Sequence, residues 1–242
     1  MNDSTDYAVI DLRVDYIGRG PLLRYHASRP PLERYERRRE VPAANVLEQL
    51  EAARSNRKSV LMAVDCLGGF FAQALDIILA IQRLRSSGLH VVADVTGRAA
   101  SAAGFVILAA SYVVIRPHGS IMIHRGSVAP ADAPKADTSS TLERDLDRAI
   151  GETGDIPQEL RPGVIQFELL QVSTLASDDQ IVGWLNSERT IVEAAEAVRL
   201  GFADEIGSEQ RAREVVLALA RGEVVPSPRW RAVEERLALT GR

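Results

Sequence analysis

This chain of 242 residues has little cysteine and lysine and no long apolar run. Each shortage argues against one kind of fold, membrane segment or catalytic mechanism. The single cysteine, Cys66, cannot form a disulfide within the chain, which excludes a small domain held together by disulfides. No run of about 18 apolar residues is present, which excludes a helix that crosses a membrane. Lysine occurs only at Lys58 and Lys135, so few mechanisms that use a lysine base are open to this protein.

The charge balance and the N-terminal sequence further restrict the functions and the cellular locations that we expect. The formal net charge is −4, so the chain lacks the basic surface that is typical of nucleic-acid binding. The first residues are acidic and do not show the basic and then apolar order of a secretory signal. We therefore expect a cytoplasmic protein that binds neither nucleic acid nor a membrane. The length favours one α/β domain with appendages.

What the sequence does contain is an alternation of strand-like and helix-like segments. Strand-like apolar runs, rich in β-branched residues, lie at 59–64, 89–95, 112–115 and 119–124. Helical patterns lie at 70–86, 101–111, 140–182 and 212–221, followed by a polar tail around Trp230. Strands that alternate with helices predict a largely parallel sheet covered by helices. The helical stretch 140–182 fits two helices in a projecting hairpin.

The segment 96–104 (TGRAASAAG) places one serine, Ser101, where a strand ends and a helix of small residues begins. At a helix N-terminus the first backbone N–H groups lack partners and the helix dipole favours negative charge, which suits a developing oxyanion. The same position suits a serine that only caps the helix. Both interpretations stay open on this segment alone.

A nucleophilic serine needs a base within hydrogen-bond reach. The histidines of the chain are His26, His90, His118 and His124. Only His124 ends a strand that directly follows the Ser101 unit. Because neighbouring parallel strands bring their carboxyl ends to the same edge of a sheet, His124 is the best candidate for the base. A histidine that serves only the structure is the alternative.

A glycine turn, Gly68-Gly69, also follows a predicted strand and therefore belongs to the same edge of the sheet. Glycine at such a place lets backbone N–H groups approach a substrate closely. A tight turn without a ligand is the alternative. The glycine turn, Ser101 and His124 each follow a predicted strand. Together they form a more specific pattern than any one of them alone.

In this order the motifs resemble the Clp protease proteolytic-subunit family of serine peptidases, whose fold is shared with the crotonases. The segments that carry the resemblance are the Gly68-Gly69 turn, GRAAS at 97–101, IMIH at 121–124 and EAVRLGFAD at 196–204. The resemblance covers about residues 60–207. It implies an α/β fold of the ClpP/crotonase type, a repeated superhelix with a mostly parallel sheet and a projecting helical hairpin. It also implies a serine endopeptidase.

By this resemblance Ser101 is the nucleophile and His124 is the general base. The backbone N–H groups of Gly69 and Ala102 form the oxyanion hole. The family's Asn-Ser-Pro-Gly-Gly is replaced here by Asp-Cys-Leu-Gly-Gly at 65–69, so the proline that stiffens the turn is missing.

The third member of the triad depends on the alignment. Aligned without a gap from Thr174, the family's catalytic aspartate falls on Glu188, whereas aligned backward from Glu196 it falls on Arg189. A glutamate can orient a histidine as an aspartate does, so we predict Glu188. An exposed carboxylate at a helix start is the alternative, and Asp178 or Asp179 could fill the role instead.

The resemblance also implies partners and a division of the chain. Peptides or unfolded proteins are the expected substrates, the subunits are expected to form a homo-oligomeric ring, and an AAA+ unfoldase is a candidate partner. No cofactor or metal ion is expected. The predicted parts are a divergent N-terminal strand, loop and helix (1–58), a peptidase core (59–207) with a helical handle at about 140–182, and a C-terminal helix and tail (208–242).

Three other functions stay open. A crotonase-like acyl-CoA enzyme would share the fold but would not need both Ser101 and His124. A serine–lysine peptidase would need a lysine after the serine, and only Lys135, in a loop-like segment, is available. A non-catalytic subunit would keep the fold while its triad has decayed.

Overall fold

The computed structural model describes residues 6–14, 16–17, 40–124, 161–187 and 190–240. The strands in these ranges are β1 (Tyr7–Val14), β2 (Tyr16–Ile17), β3 (Glu40–Val41), β4 (Ser59–Cys66), β5 (Val91–Ala100), β6 (Tyr112–Ile115), β7 (Ser120–Ile123), β8 (Thr190–Glu193) and β9 (Glu205–Ile206). The helices are α1 (Ala43–Ser55), α2 (Phe71–Ser86), α3 (Ala102–Leu108), α4 (Arg161–Ser173), α5 (Asp178–Asn186), α6 (Ala194–Arg199), α7 (Glu209–Ala220) and α8 (Pro228–Thr240).

Seven of these strands form one sheet in the order β1-β4-β5-β6-β9, with β7 attached to β5 and β8 attached to β7. Every pairing in this sheet is parallel except that of β7 with β8. Strands β2 and β3 pair separately with each other. The predicted α/β fold with a mostly parallel sheet is therefore confirmed.

The central strands are buried on both faces, which explains why their sequences are continuous apolar runs. On one face, residues such as Val60, Val91 and Val113 pack against helices α1 to α6. On the other face, their chain neighbours Leu61 and Val92 pack against α7. The side chains of a strand alternate between the two faces, so each strand contributes to both layers of the core.

Strand β5 is longer than the predicted segment 89–95. Its first half pairs with β6 and its second half pairs with β7. Between the halves the pairing with β4 shifts register, and the Asp65 carboxylate accepts a hydrogen bond from the Arg98 N–H at 2.9 Å. A Cβ on Gly97 would lie 2.5 Å from that carboxylate. Thr96 and Gly97 are typical of a turn, but this long-range contact keeps them in the strand.

The predicted hairpin at 140–182 is described only from residue 161 onward, and residues 140–160 lie outside the described residues. In the described part, Leu170 is fully buried, and Ile165 and Phe167 pack partly buried against the main core. The described parts of α4 and α5 therefore contact the domain through apolar side chains, and the projecting hairpin stays a prediction.

The segment after α7 is a helix, α8, and not the polar tail that the sequence predicted. Pro228 is its first residue, where the fixed φ of proline suits a helix and its missing N–H is not needed. Arg229 and Val233 on this helix are buried, 2% and 1% exposed respectively. Across the described ranges, no helix is long and apolar enough to cross a membrane.

Candidate active site

Ser101 lies directly after β5 and before α3, as predicted. Its backbone has φ 53° and ψ −123°, a region that residues other than glycine rarely adopt and that costs about 1–3 kcal/mol. Two hydrogen bonds hold it there: the Ser101 N–H donates to the Met122 carbonyl at 2.7 Å, and the Gly104 N–H donates to the Ser101 carbonyl at 2.9 Å. The Ser101 side chain makes no helix-capping hydrogen bond. The interpretation of Ser101 as a simple helix cap is therefore wrong.

His124 lies beside Ser101, with 2.7 Å between His124 Nε2 and Ser101 Oγ. The pairing of β5 with β7 explains this proximity. Ala100 lies opposite Met122, so the residues that follow the two parallel strands emerge side by side. The hydroxyl can donate this hydrogen bond whenever Nε2 is unprotonated. The predicted proximity of the two side chains is confirmed, while their catalytic roles stay predictions.

The glycine turn lies against the serine. A Cβ on Gly68, whose φ is +111°, would lie 2.7 Å from Ser101 Cβ and 2.8 Å from the Ala100 carbonyl oxygen. The Ile17 N–H donates to the Gly68 carbonyl at 2.7 Å. A Cβ on Gly69 would lie 2.1 Å from the Ile17 carbonyl oxygen. Both glycines are therefore required by close approach of backbone, on one side to Ser101 and on the other to β2.

The predicted oxyanion donors, the N–H groups of Gly69 and Ala102, belong to these two neighbouring segments. A Cβ on Gly68 would lie 3.2 Å from Ala102 N, so the turn touches the start of α3. The first N–H groups of a helix have no partner within the helix. Within the described part of the chain, neither N–H donates to a backbone or side-chain acceptor. Unpaired N–H groups beside a serine hydroxyl can stabilise an oxyanion.

The candidates for the third member of the triad stay predictions. Glu188 and its alternative Arg189 lie outside the described residues, as does Lys135. Strand β8 begins at Thr190 and runs antiparallel to β7, with Thr190 opposite Ile123.

Two further acids were alternatives to Glu188. Asp178 and Asp179 begin helix α5 and are exposed. The Asp178 carboxylate accepts a hydrogen bond from Gln171 Nε2 at 2.8 Å. This contact links α5 to α4 and gives Asp178 a structural role.

The other described histidines lie apart from the serine. His90 precedes β5, at the opposite end of that strand from Ser101, and burial together with the nearby Arg85 lowers the pKa of His90. His118 lies in the turn between β6 and β7, and His26 lies outside the described residues. No group of three or more His, Cys, Asp or Glu side chains among residues 6–14, 16–17, 40–124, 161–187 and 190–240 is arranged to hold a metal ion.

The role of Asp65 was not apparent from the sequence, where it stood out only as a departure from the family's motif. Its carboxylate holds the Arg98 N–H and occupies the space beside Gly97. Asp65 thereby fixes the bend that carries β5 from β6 to β7, and so the path to Ser101. The sequence gives only a weak indication of this role, because Arg98, whose N–H donates to the carboxylate, lies 33 residues further along the chain.

Comparisons with known proteins identify the family of the chain and support its fold. A family model described as Clp protease matches residues 36–210, which is more than half of the chain. Among solved structures, a mutant of ClpP1 from Listeria monocytogenes is similar, with a TM-score of 0.55 and 17% identity over 85% of this chain and 94% of that chain. At this identity the likeness shows the fold alone. No curated protein matches the chain. By the extent of the family match, the chain belongs to the Clp protease family, a family of peptidases.

Proposed function

We propose that this protein is a serine endopeptidase that uses Ser101 as its nucleophile and His124 as its general base. One observation carries the proposal: Ser101 Oγ lies 2.7 Å from His124 Nε2 while the serine backbone is held in a strained conformation. Strain of this kind persists only where the surroundings enforce it, and it is concentrated at active sites. A serine with a purely structural role has no need of it.

The chemistry follows the order of the contacts. As Ser101 Oγ attacks the carbonyl carbon of a peptide bond, His124 Nε2 accepts the hydroxyl proton. The N–H groups of Gly69 and Ala102 donate to the carbonyl oxygen, which becomes negatively charged. His124 then gives the proton to the departing amine, and an ester to Ser101 remains. Water, deprotonated by the same histidine, hydrolyses the ester and restores the serine.

We assign the third position of the triad to Glu188. Support comes from the register of the sheet: Thr190 lies opposite Ile123, so Glu188 is two residues from a position that pairs beside His124. The proposal needs no more than these two residues of chain, at most about 7 Å, between Glu188 and that pair. A carboxylate there would orient the imidazole and balance the charge that it gains when Ser101 loses its proton.

The test is covalent labelling of Ser101 with a fluorophosphonate, which reacts only with an activated serine. We expect labelling of the wild type, none of Ser101→Ala, and a loss of about 100-fold or more for His124→Gln. Cleavage of a fluorogenic peptide should follow the same order. An unlabelled but folded wild type would support a non-catalytic subunit and contradict the proposal. A crotonase-like enzyme would retain its activity in Ser101→Ala.

Members of this family generally form oligomeric rings and degrade peptides. For this chain we propose peptides or unfolded proteins as substrates and a homo-oligomeric ring in the cytoplasm, with an AAA+ unfoldase as a candidate partner. Apolar side chains at the surface of α4, α5 and β8 support association: Val172, Val182 and Ile191 are 42%, 46% and 54% exposed. Light scattering that gives a monomer across the working concentration range would contradict the ring.

A further inference from the structure

The end of helix α3 opposite Ser101 is held by side chains from elsewhere in the chain. The helix has 7 residues, about 10 Å in length, and all of them are buried. The last carbonyl groups of a helix lack partners within it, and a buried carbonyl needs one. Here the carbonyl of Leu108, the last residue of α3, and those of Ala109 and Ala110 directly after it each accept hydrogen bonds from side chains.

Most of these donors come from helix α8. Arg229 donates from Nη1 to the first of the three carbonyls at 3.1 Å and from Nη2 to the third at 2.7 Å. Trp230 Nε1 donates to the third as well, at 3.1 Å. Arg85, on α2, donates to the middle carbonyl at 2.9 Å. Both guanidinium groups lie over the Trp230 ring, 4.6 Å and 4.9 Å from its centroid.

Arg229 is itself fixed in place. Its side chain has no exposed surface, and its Nε lies 3.6 Å from Asp204 Oδ2. Asp204 in turn accepts hydrogen bonds from the Val113 N–H of β6 at 2.7 Å and from the Arg229 N–H at 3.2 Å. Burial lowers the pKa of Arg229 to about 10, partly offset by Asp204, so the guanidinium stays charged at neutral pH. The cation is therefore anchored to the sheet at one side and to α3 at the other.

We propose that Arg229 is a positioning residue, which fixes α3 so that Ser101 and the Ala102 N–H stay in the geometry needed for acylation. The inference rests on the proposed serine peptidase activity. A short rigid helix transmits a displacement at one end to the other, and Ser101 already holds a conformation that its surroundings must enforce. Helix α8 lies beyond residues 36–210, the part of the chain that the family model matches. The site thus depends on a segment outside the family's own region.

The experiment measures the rate of fluorophosphonate labelling of Ser101, and kcat and KM for a short fluorogenic peptide, in Arg229→Met and Arg229→Lys. A displacement of about 1 Å at a reacting group reduces rates about 100-fold, which we expect for Arg229→Met. Lysine keeps the charge but cannot bridge two carbonyls, so we expect a loss of about 10-fold for Arg229→Lys. In both variants kcat should fall while KM stays the same.

Arg236→Met is the matched control, because Arg236 also extends from α8 but donates to the carbonyls of Gln171 and Ala176 instead of α3. We expect this variant to melt at a lower temperature with an unchanged labelling rate. If Arg229→Met does not fold, the labelling rates of Arg229→Lys and Trp230→Phe test the inference instead. Trp230→Phe removes one donor to α3 and should slow labelling about 3–10-fold.

Each outcome separates the inference from the proposed function. Folded Arg229 variants that label as fast as the wild type would overturn the inference and leave the proposed function intact. The same holds if Arg236→Met loses as much labelling as they do, because the effect would then be general destabilisation. A wild type that does not label at all would overturn the proposed function itself, and the inference with it.

Discussion

The contact between the glycine turn and Ser101, the proposed nucleophile, makes Gly68→Ala a sharp test of the proposed site. The added methyl group would lie 2.7 Å from Ser101 Cβ, 2.8 Å from the Ala100 carbonyl oxygen and 3.2 Å from Ala102 N. Real carbon–carbon contacts are about 3.5–4.0 Å, so the turn or the serine must move. The substitution therefore acts directly on the proposed nucleophile and on one of the proposed oxyanion donors.

The structure sets the expected size of the effect. Alanine at φ +111° costs about 1–3 kcal/mol, and the close contacts add about 1–3 kcal/mol where the neighbours can move only a little. We expect the free energy of unfolding to fall by about 2–6 kcal/mol, with the melting temperature falling roughly 2–4 °C for each kcal/mol. Since the nearest atom belongs to Ser101, a shift of about 1 Å should slow its acylation about 100-fold.

Gly88→Ala is the matched control, because Gly88 also has a positive φ, +79°, but a Cβ there would meet nothing within 4 Å. It should lower the free energy of unfolding by about 1–2 kcal/mol and leave the acylation rate unchanged. The measurements are thermal melts and the kinetics of fluorophosphonate labelling. Wild-type labelling by Gly68→Ala, with a melting temperature no lower than that of Gly88→Ala, would refute the reasoning.

Three further predictions concern the triad, the pH dependence and the core. Glu188→Gln should keep the fold but slow labelling of Ser101 by at least about 100-fold, because the imidazolium loses its compensating charge; labelling kinetics and a thermal melt check this. Burial raises the pKa of Tyr112 to about 12, so between about pH 10 and 12 the unfolded chain releases a proton that the folded chain keeps. The free energy of unfolding, measured with urea, should therefore fall as the pH rises through this range. Leu170→Ala should lower the free energy of unfolding by about 2–5 kcal/mol, because Leu170 is fully buried.

Each of these has its own control. Arg189→Ala should label like the wild type, and equal labelling by Glu188→Gln would remove Glu188 from the site and reduce it to a dyad. Tyr112→Phe should not show the extra loss of stability above pH 10, and parallel curves for the two proteins would contradict the pKa argument. Glu168→Ala, on the same helix as Leu170 but exposed, should change stability by less than about 0.5 kcal/mol.

The central sheet could be predicted from the sequence because a strand that is buried on both faces is a continuous run of apolar residues. Strands β6 and β7 are short apolar runs bounded by polar or turn residues, and the sequence predicts them at 112–115 and 119–124. The proximity of Ser101 and His124 followed from the order of the segments, since the ends of neighbouring parallel strands lie together. These predictions needed only patterns that lie within a few residues of each other.

The parts that could not be predicted depend on partners far away in the chain. The second half of β5 is held by Asp65, and the sequence around Gly97 resembles a turn until that partner is known. Helix α8 was missed because an arginine after a proline in a charged segment is typical of an exposed tail. The acceptor of Arg229 Nη1 lies 121 residues away, and no local pattern signals such a contact.

The division of β5 between two neighbours splits the sheet into two modules that share one strand. Strands β6 and β9 belong to the first half of β5, whereas β7 and β8 belong to its second half. Ser101 directly follows β5 and His124 directly follows β7, so the β5–β7 pairing brings the two side chains together. Changes to β9, at the outer edge of the first module, can therefore alter the stability of the sheet while the pairing that brings Ser101 and His124 together stays the same.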